Sequence, residues 1–195
     1  GSRAGRVDVH RAVDGALRLV RKQLEYRAQV ERALEPVPAI LGNEGGLAQV
    51  LVNLLVNALQ AFPQNDMARN RLRITTRSAE PGTVVIEVED NGPGMSAEVR
   101  QHIFDPFFTT KPAREGTGLG LSICQSIIQS MNGRIEVESE LGRGSVFRVV
   151  LPAARGPQRA EPRPQAVPEQ LERVPTPLHA APLHLSGSRA LTASA

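Results

Sequence analysis

The chain has 195 residues, with 23 Lys and Arg against 20 Asp and Glu, one Cys and no Trp. That length allows one domain with a proper core and some spare chain, while a single cysteine excludes an intrachain disulfide framework or a Cys/His zinc spacing. The excess positive charge is uneven: residues 155–195 hold five arginines against three glutamates, so the rest is close to neutral and no basic face for nucleic acid is implied.

No apolar run approaches the ~20 residues of a membrane span, and no signal peptide opens the chain. Gly1-Ser2 reads as a cloning scar, with residues 1–5 as scar and upstream linker. The expectation is a cytoplasmic piece of a longer protein, with no membrane contact of its own.

Asp8 can cap a helix starting near His10, and Val13, Ala16, Leu17, Val20 and Leu24 keep the helical period. A strand over 27–34 follows, broken by Pro36 and Pro38, and then a short extended piece over 39–41. Residues 46–61 read as a second helix, apolar around most of its circumference. Its polar exceptions, Gln49, Asn53, Asn57 and Gln60, make one stripe of amides without charge, which suggests a face turned to a ligand. Residues 71–77 and 83–90 alternate as two half-buried strands joined at Pro81-Gly82, with outward Arg and Glu able to pair.

Asp90 falls on the apolar face of the second of these strands. A carboxylate there needs donors, and Gly92-Pro93-Gly94 follows at once, a backbone able to turn tightly or approach a ligand. Ser96 can cap a short helix over 97–103. Phe104, Phe107 and Phe108 then suggest an apolar foot, and residues 109–116 a mobile lid. The run Gly116-Thr117-Gly118-Leu119-Gly120 opens a helix with apolar rows at Ile123, Ile127 and Met131 and at Cys124 and Ile128. Such a turn offers backbone N–H groups to a phosphate. Cys124 itself reads as a small core residue. Asn132-Gly133 suits a left-handed helix end. Strands over 134–139 and 146–151, joined through Gly142-Arg143-Gly144, complete the domain at Pro152.

The expected fold is α/β: a two-layer sandwich with a mixed, mostly antiparallel sheet and three main helices on one face, the lid lying between helices. Residues 6–153 form this domain. Residues 154–195, with seven of the 15 prolines, read as a disordered Pro/Ala-rich tail.

Four segments in order, Asn53-Leu54-Leu55-Val56-Asn57-Ala58, Asp90-Asn91-Gly92-Pro93-Gly94, the Phe104 to Thr110 foot and Gly116-Thr117-Gly118-Leu119-Gly120-Leu121, resemble the N, G1, F and G2 boxes of the catalytic domain of bacterial sensor histidine kinases, within the group that includes gyrase, the Hsp90 chaperones and MutL. Gly142-Arg143-Gly144-Ser145 is similar to the late glycine turn of these domains. The Asn-Ala-Leu-Gln ending and the Thr-Thr-Lys-Pro lid start look most like kinases of the nitrogen-regulation type.

The resemblance implies ATP and Mg²⁺ as cofactors. Asp90 would accept from the adenine amino group, and Asn57 would bind Mg²⁺. Gly92, Gly94, Thr110, Gly116, Thr117, Gly118, Leu119 and Gly120 would line the nucleotide. Lys111 and Arg114 are candidates for the γ-phosphate. Hydrolysing relatives carry a Glu one turn before the magnesium Asn; here Asn53 stands there, and an amide cannot take a proton at neutral pH. With Asn53 and Lys111 as the catalytic pair, the implied reaction is γ-phosphate transfer to a histidine on a separate dimerisation domain. A response regulator receiver would be the indirect partner.

None of His10, His102, His179 and His184 lies in the acceptor motif; His10 and His102 are expected at the surface. A nucleotide-sensing module without catalytic output and a serine kinase of the anti-sigma type remain the alternative readings. A Walker A sequence is absent, and the glycine spacing is not that of a dinucleotide-binding turn.

Overall fold

The described residues of the computed structural model are 5–63, 66–79, 82–111 and 116–154. The chain divides into Gly1–Gln158 and Arg159–Ala195, and all described residues belong to the first unit. The expected disordered tail from residue 155 onward, and Arg114 of the expected lid, lie outside the described residues.

Strand β1 (Gly5–Val7) is a short element that the sequence pattern does not signal; it pairs antiparallel with β3 (Ile40–Gly42). Helix α1 (Val9–Arg27) begins where the Asp8 carboxylate accepts from the His10 and Arg11 N–H groups. It runs through Arg27, the residue at which the sequence suggests that the strand begins. The Ala28 N–H still closes on the Leu24 carbonyl, and the Arg27 guanidinium donates to Leu59 O at 3.0 Å. Strand β2 (Gln29–Leu34) therefore starts two residues late.

Helix α2 (Glu44–Ala61) starts before the expected residue 46, because Asn43 Oδ1 accepts from the Gly46 N–H. Inside the helix, Gly46 makes room: a Cβ there would stand 3.1 Å from both Ile127 and Met131. Two further strands follow, β4 (Arg71–Ser78) and β5 (Thr83–Asp90). A short helix, α3 (Ala97–His102), is capped by Ser96 as expected. Helix α4 (Gly120–Ser130) ends at a left-handed Asn132 with φ of 57°. The hairpin of β6 (Arg134–Glu140) and β7 (Gly144–Pro152) closes the fold, and Ala154, the last described residue, is buried with its N–H on Ala39 O.

The main sheet runs β2-β4-β5-β7-β6, with only the β2–β4 pair parallel. Period-2 alternation gives β4, β5 and β7 an apolar face toward the helices. Leu72, Ile74, Val84, Ile86, Val88, Val149 and Leu151 meet the apolar stripes of α1, α2 and α4 in one core. The open face carries the expected charges: Arg77 and Arg148 both pair with Glu87, at 3.3 and 2.8 Å. The expected two-layer α/β architecture is the one observed.

Three local expectations are corrected. Ile123, placed in an apolar row, is 40% exposed; the α4 residues that enter the core are Cys124 and Ile128. His10 is half-buried rather than at the surface, with Nε2 3.0 Å from Glu35 O and 3.1 Å from Thr76 Oγ1. Phe107 is not part of the apolar foot: Phe104 and Phe108 pack on the core, whereas Phe107 points out, 75% exposed. Its backbone explains the reversal. Phe107 takes a left-handed φ of 67° while its N–H donates to Gly118 O at 2.9 Å.

Candidate nucleotide site

Between α2, the end of β5 and residues 108–111 and 116–121 lies a cavity of about 420 Å³. Its apolar wall includes Ala58, Met95, Ile103, Leu121 and Phe147, and its polar residues include Asn57, Gln60, Asp90, Thr110, Lys111 and Ser145. A flat heterocycle suits such a slot, with polar groups fixing its orientation.

Asp90 ends β5 on the helix-facing side and is only 4% exposed. Its Oδ1 accepts from the Gly92 N–H at 2.9 Å. Burial pushes its carboxyl up to about 6, against the smaller opposing effect of the Gly92 and Ser145 N–H groups. The carboxylate is thus ionised at neutral pH but underprovided with donors, which a ligand N–H would supply. Around it the backbone is tight. Gly94 has φ of 67°, and a Cβ there would run into the Glu140 carbonyl; at Gly144 it would run into the Asp90 carbonyl. Gly92 supports the carboxylate from behind rather than lining the cavity; a Cβ there would stand 2.8 Å from Asp90 Oδ1.

The amide stripe of α2 divides. Asn57 and Gln60 line the cavity. Among the described residues the Asn57 side chain has no hydrogen-bond partner, so its carboxamide oxygen is available as a hard ligand. That donor type fits Mg²⁺, which takes oxygen ligands and keeps several waters. No cluster of three His, Cys, Asp or Glu among the described residues could hold a metal unaided. Asn53 does not line the cavity. Its Nδ2 donates to Gly120 O and lies 3.4 Å from Cys124 Sγ, tying α2 to the first turn of α4. Gln49 is exposed. Cys124 is fully buried, as expected, and burial pushes its thiol pKa up.

Lys111 Nζ donates to Gln60 Oε1 at 2.6 Å. Gly116 comes back against this point: a Cβ there would stand 2.7 Å from Thr109 Oγ1 and 3.3 Å from Lys111 Cβ. Gly118 takes φ of 66° against the Phe107 backbone. Gly116, Thr117, Gly118 and Gly120 line the cavity, whereas Leu119 does not. Leu119 is the α4 N-cap and provides no side-chain cap. The first N–H groups of α4 therefore keep their donor capacity, at the positive end of the helix dipole.

The structure thus gathers Asn57, Asp90, Gly94, Thr110, Lys111, Gly116, Thr117, Gly118 and Gly120 around one cavity, and leaves Asn53, Gly92 and Leu119 just behind it. A family profile described as histidine kinase-, DNA gyrase B- and HSP90-like ATPase matches residues 42–155. The chain belongs to this family.

Among curated relatives, sensor kinase CckA of Brucella abortus is 42% identical over 163 residues, covering 78% of this chain and 17% of that protein. The signal transduction histidine-protein kinase AtoS of Escherichia coli is 39% identical over 133 residues, covering 68% and 20%. The chain therefore spans about a fifth of the length of these relatives. Among solved structures, the mycobacterial sensor histidine kinase MprB superposes with a TM-score of 0.69 at 25% identity, covering 79% of this chain and all of that one. Full-length ShkA in complex with AMPPNP gives 0.68 at 29% identity, covering 82% and 34%. This family member is an ATP-using domain of the histidine kinase kind, and no described helix is long and apolar enough to cross a membrane.

Proposed function

We propose that residues 6–153 are the catalytic domain of a cytoplasmic two-component kinase unit, which binds ATP with Mg²⁺ and transfers the γ-phosphate to a histidine on a separate dimerisation domain. A response regulator receiver would take the phosphate onward. The observation that carries this reading is the polarity of the cavity. One end holds a buried acceptor, Asp90; the other holds Asn57, Lys111 and the uncapped start of α4. AMPPNP in the ShkA complex agrees with such a ligand.

In this reading Asp90 accepts from the adenine amino group while Met95, Ile103 and Phe147 enclose the ring. The N–H groups after Gly118 and the Lys111 ammonium hold the phosphate oxygens, and Thr110 and Thr117 add hydroxyls. Magnesium, held through the Asn57 carboxamide, would neutralise phosphate charge. Phosphoryl transfer demands positioning and charge compensation rather than covalent help. Among the described residues lining the cavity, Asp90 is the only carboxylate. It stands at the adenine end, so among the described residues no carboxylate lines the phosphate end to act as general base for water, which favours transfer over hydrolysis. Asn53 then acts as a positioning residue, setting α4 against α2.

The test is incubation of the chain with labelled ATP and Mg²⁺, with and without helical acceptor domains. Acid-labile label on an acceptor histidine is the expected result. ATP binding without transfer to any acceptor would favour a sensing module instead.

A further inference from the structure

A row of three polar side chains crosses the sheet at the floor of the cavity. Ser139 of β6 faces Ser145 of β7, which faces Asp90 of β5. Ser145 and Asp90 line the cavity; Ser139 stands behind them.

The Ser139 hydroxyl has three partners. It accepts from the Met95 N–H at 2.9 Å, lies 2.8 Å from Gly144 O and lies 3.0 Å from Ser145 Oγ. A serine hydroxyl has one proton and two lone pairs. Gly144 O can only accept, so the Ser139 proton belongs there. Ser139 then has two lone pairs, one taken by Met95. The other is left for Ser145, whose proton must point at Ser139. Every donor and acceptor of Ser139 is used, and the Ser145 proton is committed away from the cavity.

We propose that Ser139 is a positioning residue that fixes nucleobase specificity: by holding the Ser145 proton, it leaves Ser145 as an acceptor beside the Asp90 carboxylate, so that the floor selects a 6-aminopurine over a 6-oxopurine. The two side chains that meet the ligand edge both lack a donor. The nearby N–H groups of Gly92 and Met95 are also spent, on Asp90 Oδ1 and Ser139 Oγ. An exocyclic amino group brings two N–H donors to this surface. A carbonyl in its place carries no proton, so a 6-oxopurine can meet these two acceptors only through its single N1–H and sets its O6 against an acceptor, whereas the amino group offers two donors.

The inference rests on the reading of this cavity as an ATP site, and the two can be tested apart. Dissociation constants of the full chain for ATP and ITP, both with Mg²⁺, are measured for wild type, Ser139→Ala, Ser139→Thr and Ser145→Ala. Wild type is expected to prefer ATP. Ser139→Ala frees the Ser145 proton for a 6-oxo group, so the preference narrows by about tenfold, the worth of one hydrogen bond; Ser139→Thr keeps the hydroxyl and the preference. Equal weakening of both nucleotides in Ser139→Ala would reduce Ser139 to a structural role and overturn the proposal. Ser145→Ala guards against a misfolded Ser139 variant: loss of an acceptor must cost ATP more than ITP, and a larger cost to ITP would show Ser145 donating, contrary to the proposal. Wild-type failure to bind ATP at all would instead remove the underlying reading, and this inference with it.

Discussion

Lys111 Nζ sits 2.6 Å from Gln60 Oε1, joining the start of the 111–116 segment to α2 one turn beyond Asn57. Lys111, Gln60 and Asn57 line the same end of the cavity, where the terminal phosphate is proposed to lie. Lys111→Ala is therefore expected to weaken ATP by about tenfold while weakening ADP much less, since the lost charge acts on the terminal phosphate. Titrations of both nucleotides check this; equal losses would place Lys111 away from the γ-phosphate.

Asp90 links stability to function. Its folded pKa of about 6 lies above the ordinary 3.8, so between those values the folded state binds more protons than the unfolded one. This carboxyl therefore makes stability fall as pH rises from about 4 through about 6, and the full penalty stands above that. Asp90→Asn retains an acceptor for the Gly92 N–H and removes the charge. It is expected to raise stability at pH 7.5 by at most about 3 kcal/mol, with little gain near pH 4. The same variant should lose ATP binding, and wild-type affinity should drop as pH falls through the Asp90 pKa. Denaturant curves and titrations across that range test both halves; a variant less stable than wild type at pH 7.5 would contradict the account.

The two glycines that follow the 111–116 segment, Gly118 and Gly120, have different duties. At Gly118 the left-handed backbone alone costs alanine about 1–2 kcal/mol, and the Phe107 backbone blocks a Cβ. A Cβ on Gly120 meets nothing within 4 Å. Gly118→Ala should lower both melting temperature and ATP affinity, whereas Gly120→Ala should leave melting temperature unchanged or slightly raised. Thermal melts of the pair distinguish them, and similar losses at both sites would show that flexibility, not local geometry, is what the glycines share.

Much of this was readable from residues alone, because the strands alternate, α1 carries a clear apolar stripe and α2 is apolar except for one stripe of amides. Asp90 stood out as a carboxylate on an apolar face, and Gly94 and Gly118 as turns. Other features depend on contacts between distant segments. Strand β1 exists only through its pairing with β3. Asn53 and Asn57 lie one turn apart, yet the α4 terminus captures one amide and leaves the other facing the cavity. Phe107 looked like its aromatic neighbours until the Gly118 contact turned its backbone over. Ser139 carried no signal at all, since a hydroxyl on an edge strand acquires meaning only from Ser145 and Met95 beside it.

ATP titration with Mg²⁺ and with EDTA decides whether the cavity between Asn57 and Asp90 holds ATP with magnesium. Wild type should bind more tightly with Mg²⁺, and Asn57→Ala should lose most of that gain while keeping its magnesium-free affinity. An affinity indifferent to Mg²⁺ in wild type, or an equal loss under both conditions in Asn57→Ala, would contradict the account.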